Sequence, residues 1–95
     1  ATLRQRLEAE GAPVITVLAG DYLSPSALGT ARVDGTRLAG RQMVAVLNTM
    51  GLDVAALGNH EFDVSEADFR ARMQESRFDV VSANVRASAA AAPCT

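Results

Sequence analysis

The sequence predicts an α/β domain built on a parallel β-sheet. Short, apolar, β-branched runs of strand length alternate with helical patterns in the order α-β-α-β-α-β. The runs are nearly continuous rather than alternating, as strands covered on both faces are. Helix-containing connections between them suit parallel strands joined by right-handed crossovers.

Each element has its own signal. Leu3 and Leu7 stand four apart among Arg4, Gln5, Arg6, Glu8 and Glu10, which predicts a short amphipathic helix stopped by Gly11. Pro13 closes the connection, and Val14-Ile15-Thr16-Val17-Leu18 reads as a strand buried on both faces. Residues Tyr22 to Thr36 contain Ser24, Pro25, Ser26, Gly29, Asp34 and Gly35 and hold no sustained period, so they read as a loop. Leu38 to Met50 reads as a helix with Met43, Val46, Leu47 and Met50 on one stripe and Gly51 at its end. Asp53 to Leu57 is a second buried strand, followed by a polar loop. Ser65 is the expected N-cap of a third helix, with Asp68 where a capping box usually has Glu or Gln, and with Phe69 and Met73 as its apolar face. Asp79 to Ala83 is the third strand.

Composition bounds what such a chain does. With 95 residues it is one small domain at most, and 48% hydrophobic against 21% charged residues is a globular balance. A net charge of −2 gives no footprint for nucleic acid, and no apolar run approaches the length of a membrane span. The single cysteine, Cys94, excludes an internal disulfide framework and a multi-cysteine zinc site. All nine basic residues are Arg, which beside heavy Ala usage reflects coding bias and not function. The folded pattern occupies residues 1–86. The Ala-rich stretch 87–95 carries no apolar stripe and reads as a disordered tail or truncated loop. The chain opens inside a helical pattern without an initiator Met or signal peptide, so it reads as a piece of a longer protein.

Two strands end alike: Val17-Leu18-Ala19-Gly20-Asp21 and Ala55-Ala56-Leu57-Gly58-Asn59 each run apolar, then Gly, then a polar oxygen donor. In open α/β sheets, ligands gather at the carboxyl ends of the strands. Parallel strands would place Asp21, Asn59 and Asn84 on one rim, with Gly20 and Gly58 allowing a sharp turn and leaving room beside it. Gly-Asp and Gly-Asn are also ordinary turn signals. His60, the only histidine, follows Asn59, and Asp63 stands three residues on. That spacing lets a carboxylate hold one ring nitrogen and raise the basicity of the other. Asp, Asn and His together suit a divalent-metal centre.

Gly20-Asp21 followed by Gly58-Asn59-His60-Glu61 resembles two signature blocks of the calcineurin-like metallophosphoesterases. The extended blocks resemble the 5′-nucleotidase/UDP-sugar hydrolase branch. They are Ala19 to Ser26, Gly40-Arg41-Gln42-Met43-Val44 leading into Leu47-Asn48, Leu57 to Asp63, and Ser82-Ala83-Asn84-Val85. The resemblance runs from Thr2 to Val85. It implies a parallel βαβ fragment of a four-layer α/β/β/α sandwich. It further implies two divalent metal ions (Mn, Zn, Mg or similar) and a nucleotide or related phosphoester as substrate.

By the same resemblance, Asp21 bridges the two metals and Asn59 binds one of them near the phosphate. His60 stabilises the transition state or assists the leaving group, and Asp63 pairs with it. Glu61, Gly20, Gly58 and Asn84 support the site, Asn84 as a backbone-bonding rim residue. A carboxylate is a natural bridge because its oxygens serve both cations, and a two-metal site neutralises the phosphoryl oxygens while activating water. The family's Asp-x-His block would precede Ala1 and its remaining metal-binding histidines would follow Thr95. The isolated chain is therefore expected to be inactive without the remainder of its catalytic domain. Members are commonly periplasmic, surface-anchored or secreted. The thiosulfohydrolases of sulfur oxidation share similar blocks and are an alternative reading, as is a non-catalytic α/β structural or interaction segment.

Overall fold

The computed structural model describes residues 2–86; the Ala-rich stretch expected to be a tail, 87–95, lies outside them. In chain order the elements are α1 (Thr2–Ala9), β1 (Val17–Leu18), α2 (Ala27–Thr30), β2 (Arg32–Val33), β3 (Thr36–Arg37), α3 (Arg41–Met50), β4 (Val54–Ala56), a 3₁₀ turn (Asn59–Phe62), α4 (Glu66–Glu75) and β5 (Asp79–Val81). The expected α/β architecture is present. Strands β1, β4 and β5 form one sheet in that order, all parallel, with Val17 opposite Val54 and Ala55 opposite Val80.

The core lies on one face of this sheet. Tyr22, Leu23, Val44, Leu47, Leu52, Ala55, Phe69 and Phe78 are buried together, and Leu18, Met43, Leu57, Val64, Met73 and Val80 pack against them. Tyr22 meets Phe78 edge to face at 6.1 Å. Ser65 caps α4 as expected: its hydroxyl accepts the Asp68 N–H at 3.1 Å and donates to the Asp68 carboxylate at 2.8 Å. The shorter Asp68 thus reaches the capping hydroxyl, whereas a Glu there would reach the cap's own N–H.

Four expectations need correction. The run Val14 to Leu18 is not buried on both faces: Ile15 and Val17 are 68% and 65% exposed, because the described residues cover the sheet on one face only. Only Val17–Leu18 pairs as strand.

The segment from Tyr22 to Thr36 is not a plain loop. It holds the helical turn α2 and the hairpin β2–β3. Asp34 and Gly35, at φ of 52° and 79°, make the hairpin's two-residue turn.

Helix α3 starts at Arg41, not Leu38. Ala39 and Gly40 adopt left-handed φ values of 45° and 85°, which no helix continues. The Arg72 guanidinium holds this turn, donating to the Leu38 carbonyl at 2.8 Å. The buried face of α3 is also rotated from the expected stripe, with Val44 and Leu47 inside and Val46 and Met50 about half exposed.

Finally, β5 stops at Val81, two residues short of the expected Ala83.

Helix α1 buries none of its residues, and Leu3 is 68% exposed. Arg4 attaches it to the amino-terminal edge of the sheet, donating to Thr16 Oγ1, the Gly51 carbonyl and Asp53 Oδ2. Asp53 in turn accepts the Thr16 N–H at 2.8 Å. This polar clamp closes the end of the sheet opposite Asp21 and His60.

Candidate functional site

Strands β1 and β4 are parallel neighbours, so the residues that follow them emerge at the same edge. There the chains approach closely enough to require glycine. A Cβ on Gly20, whose φ is 96°, would lie 2.6 Å from the Gly58 nitrogen; a Cβ on Gly58 would run into the Asp21 carboxylate and lie 2.9 Å from the Asp21 nitrogen. With both side chains absent, Asp21 lies over Gly58, and its Oδ1 accepts the His60 N–H at 3.1 Å. This bond joins the two sequence blocks across 39 residues.

Glu61 lies beneath them, fully buried. Its Oε2 accepts the N–H groups of Gly58 at 2.6 Å and Asp21 at 2.8 Å, and its Oε1 accepts those of Tyr22 at 2.6 Å and Leu23 at 3.2 Å. A buried carboxylate needs such compensation. Gly58 is the local part of it, since an acid three residues into a turn reaches back to the first N–H. The contacts to residues 21–23 come from Asp21's φ of 57°, in the left-handed region, which aims three successive N–H groups inward as an anion-binding concavity. That conformation costs a non-glycine residue about 1–2 kcal/mol, and hydrogen bonds to a charged group contribute enough to offset it. The same carboxylate affects Tyr22. Burial, and secondarily the nearby Glu61 charge, push its phenol up to about 12.

His60 is partly exposed, with Nδ1 2.6 Å from Asp63 Oδ2. The hydrogen bond to Asp63 raises the imidazole above its usual range, the charges of Asp63, Asp21 and Glu61 add to this, and desolvation opposes it. With Nδ1–H held by Asp63, Nε2 is the nitrogen left to face a reacting group.

The other expected residues are less closely engaged. Asn59 opens the 3₁₀ turn beside His60 and is exposed. Asn84 stands apart: its Oδ1 accepts from Ser82 Oγ at 3.3 Å, and it lines a hollow of about 360 Å³ with Ala56, Leu57 and Val81 that includes neither Asp21 nor His60. Asp21 and Asn59 offer hard oxygen donors of the kind Mg²⁺ and Mn²⁺ take. A carboxylate has roughly four lone-pair sites, so the single His60 contact leaves Asp21 capacity for a cation. Among the described residues, however, no group of three or more His, Cys, Asp or Glu side chains is placed to hold a metal ion. The donor chemistry fits a divalent cation, but the ligand set within these residues is partial.

Comparison with known proteins adds two relatives. Over 86 residues, 90% of the chain, it is 36% identical to a probable 5′-nucleotidase of Treponema pallidum (strain Nichols). Over 48 residues, 50% of the chain, it is 42% identical to a snake venom 5′-nucleotidase of Gloydius brevicauda. The chain is similar to part of a 5′-nucleotidase. It spans only 14% and 8% of the lengths of these two proteins. No family model matches it, and no solved structure gives a significant match. Neither relative's name carries the sulfur-oxidation alternative. No helix of the described residues is long and apolar enough to cross a membrane.

Proposed function

We propose that this chain, through residue 86, is part of the catalytic domain of a two-metal phosphoesterase that hydrolyses phosphomonoesters of nucleotides. The observation that carries the reading is the His60 N–H bond to Asp21 Oδ1, which unites the two resemblance blocks at one sheet edge. The similarity to 5′-nucleotidases over 90% of the chain supports the substrate class. In this reading Asp21 and Asn59 hold divalent cations together with ligands from the rest of the protein, and the cations supply charge neutralisation and an activated water. His60, held by Asp63, presents Nε2 toward the phosphoryl group and stabilises charge that develops in the transition state. Hydrolysis adds water across the phosphoester: the phosphorus–oxygen bond to the nucleoside breaks, the nucleoside oxygen takes a proton, and phosphate is released. The uncovered sheet face at Ile15, Val17 and Val81 supports a larger domain in which a second sheet packs there, as in a four-layer sandwich.

The test is phosphate release from nucleoside monophosphates by the full-length protein with added Mn²⁺, Zn²⁺ or Mg²⁺. Release that chelation abolishes and metal restores is the expected result. Absence of release with every one of these metals overturns the reading.

A further inference from the structure

Glu61 is the least accessible polar group of the site and the one with the most partners. It has no solvent exposure and both its oxygens are occupied, so it is suited neither to ligate a cation nor to exchange protons with a substrate. What it does hold is informative. One of its contacts, Gly58 N–H, is local, whereas the other three lie 38 to 40 residues away on the strand end that carries Asp21.

The Asp21 whose N–H enters Glu61 sends its own Oδ1 to the N–H of His60, the residue before Glu61. The contacts close a ring: Glu61 carboxylate to Asp21 backbone, Asp21 side chain to His60 backbone, and one peptide bond back to Glu61. In a closed ring the position of Asp21 relative to Asn59 and His60 follows from the reach of the Glu61 side chain.

We propose that Glu61 is a positioning residue. Its carboxylate fixes the left-handed turn at Asp21 and thereby sets the separation between the Asp21 carboxylate and the Asn59–His60 pair. For its effect on catalysis this rests on the phosphoesterase reading; for the geometry it does not.

Glu61→Asp keeps the charge and shortens the reach. One methylene less breaks the reach to residues 21–23, and it loosens the Gly58 contact too, since Asp68 at the same place in its own turn meets the Ser65 hydroxyl and not the Ser65 N–H. In the ¹⁵N-labelled chain, hydrogen exchange at Asp21, Tyr22 and Leu23 accelerates roughly tenfold or more. The Asp21 HN–Hα coupling leaves its left-handed value, and the His60 amide resonance shifts. In the full-length enzyme kcat per folded molecule falls on the order of 10²-fold with KM nearly unchanged, the penalty of a misplaced catalytic group. A purely structural role lowers the melting temperature and leaves that kcat alone.

Unchanged exchange at residues 21–23 in folded Glu61→Asp overturns the proposal, as does wild-type kcat. Should the variant not fold, couplings across the hydrogen bonds from the amides of 21–23 to the Glu61 carboxyl carbon in wild type decide instead: their presence supports the clasp and their absence overturns it. An inactive wild-type enzyme defeats the phosphoesterase reading, and the exchange and coupling measurements still judge Glu61.

Discussion

Replacing Gly58 by Ala isolates the close approach on which the site is built. Gly58 has a φ of −96°, open to any residue, so the substitution carries no backbone penalty and its whole cost is steric. The new Cβ would lie 2.9 Å from the Asp21 nitrogen, a backbone atom held by Glu61, and would strike the Asp21 carboxylate as well. Overpacking at such a point costs about 1–3 kcal/mol, and displacing Asp21 from Glu61 raises the total to about 2–4 kcal/mol. For a chain of this size that lowers the melting temperature on the order of 10–20 °C.

Two other glycines calibrate the effect. Gly51 has a φ of 74° with nothing within 4 Å of its would-be Cβ, so Gly51→Ala carries only the conformational penalty of about 1–2 kcal/mol. Gly20 combines a φ of 96° with the backbone of Gly58 at 2.6 Å and is the most sensitive of the three. Urea unfolding followed by circular dichroism, with the denaturant slope checked for constancy, gives the ranking. The expected order of loss is Gly20, then Gly58, then Gly51. A Gly58→Ala chain within about 0.5 kcal/mol of wild type refutes the reasoning, since surface substitutions alone do that little.

Arg72→Met keeps the buried stem and removes the donor to the Leu38 carbonyl and the pairing with Glu75. Urea unfolding should show a loss of about 1–3 kcal/mol, with amide exchange rising around Leu38 to Arg41. At the other end of the sheet, the Thr16 N–H and then Arg4 hold the Asp53 carboxyl below its usual value of 3.8. A carboxyl depressed in the folded state adds stability that is present above the unfolded value and lost as pH falls through the folded one. Carboxyl-detected NMR should therefore show Asp53 titrating below 3.8 in wild type and moving upward in Arg4→Ala, whose stability should fall less steeply in that acid range.

The parallel sheet was legible because Ala55, fully buried, and Val80, packed against the core, sit in apolar runs of strand length. The same inference overreached at Ile15 and Val17. A sequence shows that a strand is apolar, but not whether the covering layer belongs to the residues at hand. The hairpin Arg32 to Arg37 was readable in principle, since Asp34-Gly35 between short polar-flanked residues is a two-residue turn signal; the lack of apolar alternation hid it. The start of α3 was not readable, because the left-handed turn at Ala39 is tied through its carbonyl to Arg72, 33 residues away. At the site, the His60–Asp63 spacing and the Gly-Asp and Gly-Asn-His strand ends pointed to the edge where the structure brings Asp21, His60 and Asp63 together. Gly58 and Glu61 stand three apart, a spacing from which the local contact was readable in principle. The three contacts to residues 21–23 depend on two distant strand ends meeting in one register, and no local pattern encodes that.

The central claim is a division of labour between Asp21 and His60, and metal content measured beside steady-state kinetics on the full-length protein tests it most directly. His60→Ala should lower kcat by about 10²–10³ while bound metal stays near wild type, since the imidazole acts on charge that develops only in the transition state. Asp21→Ala should lose metal together with activity. A His60→Ala enzyme that comes back without metal would contradict the account and move His60 into the ligand shell.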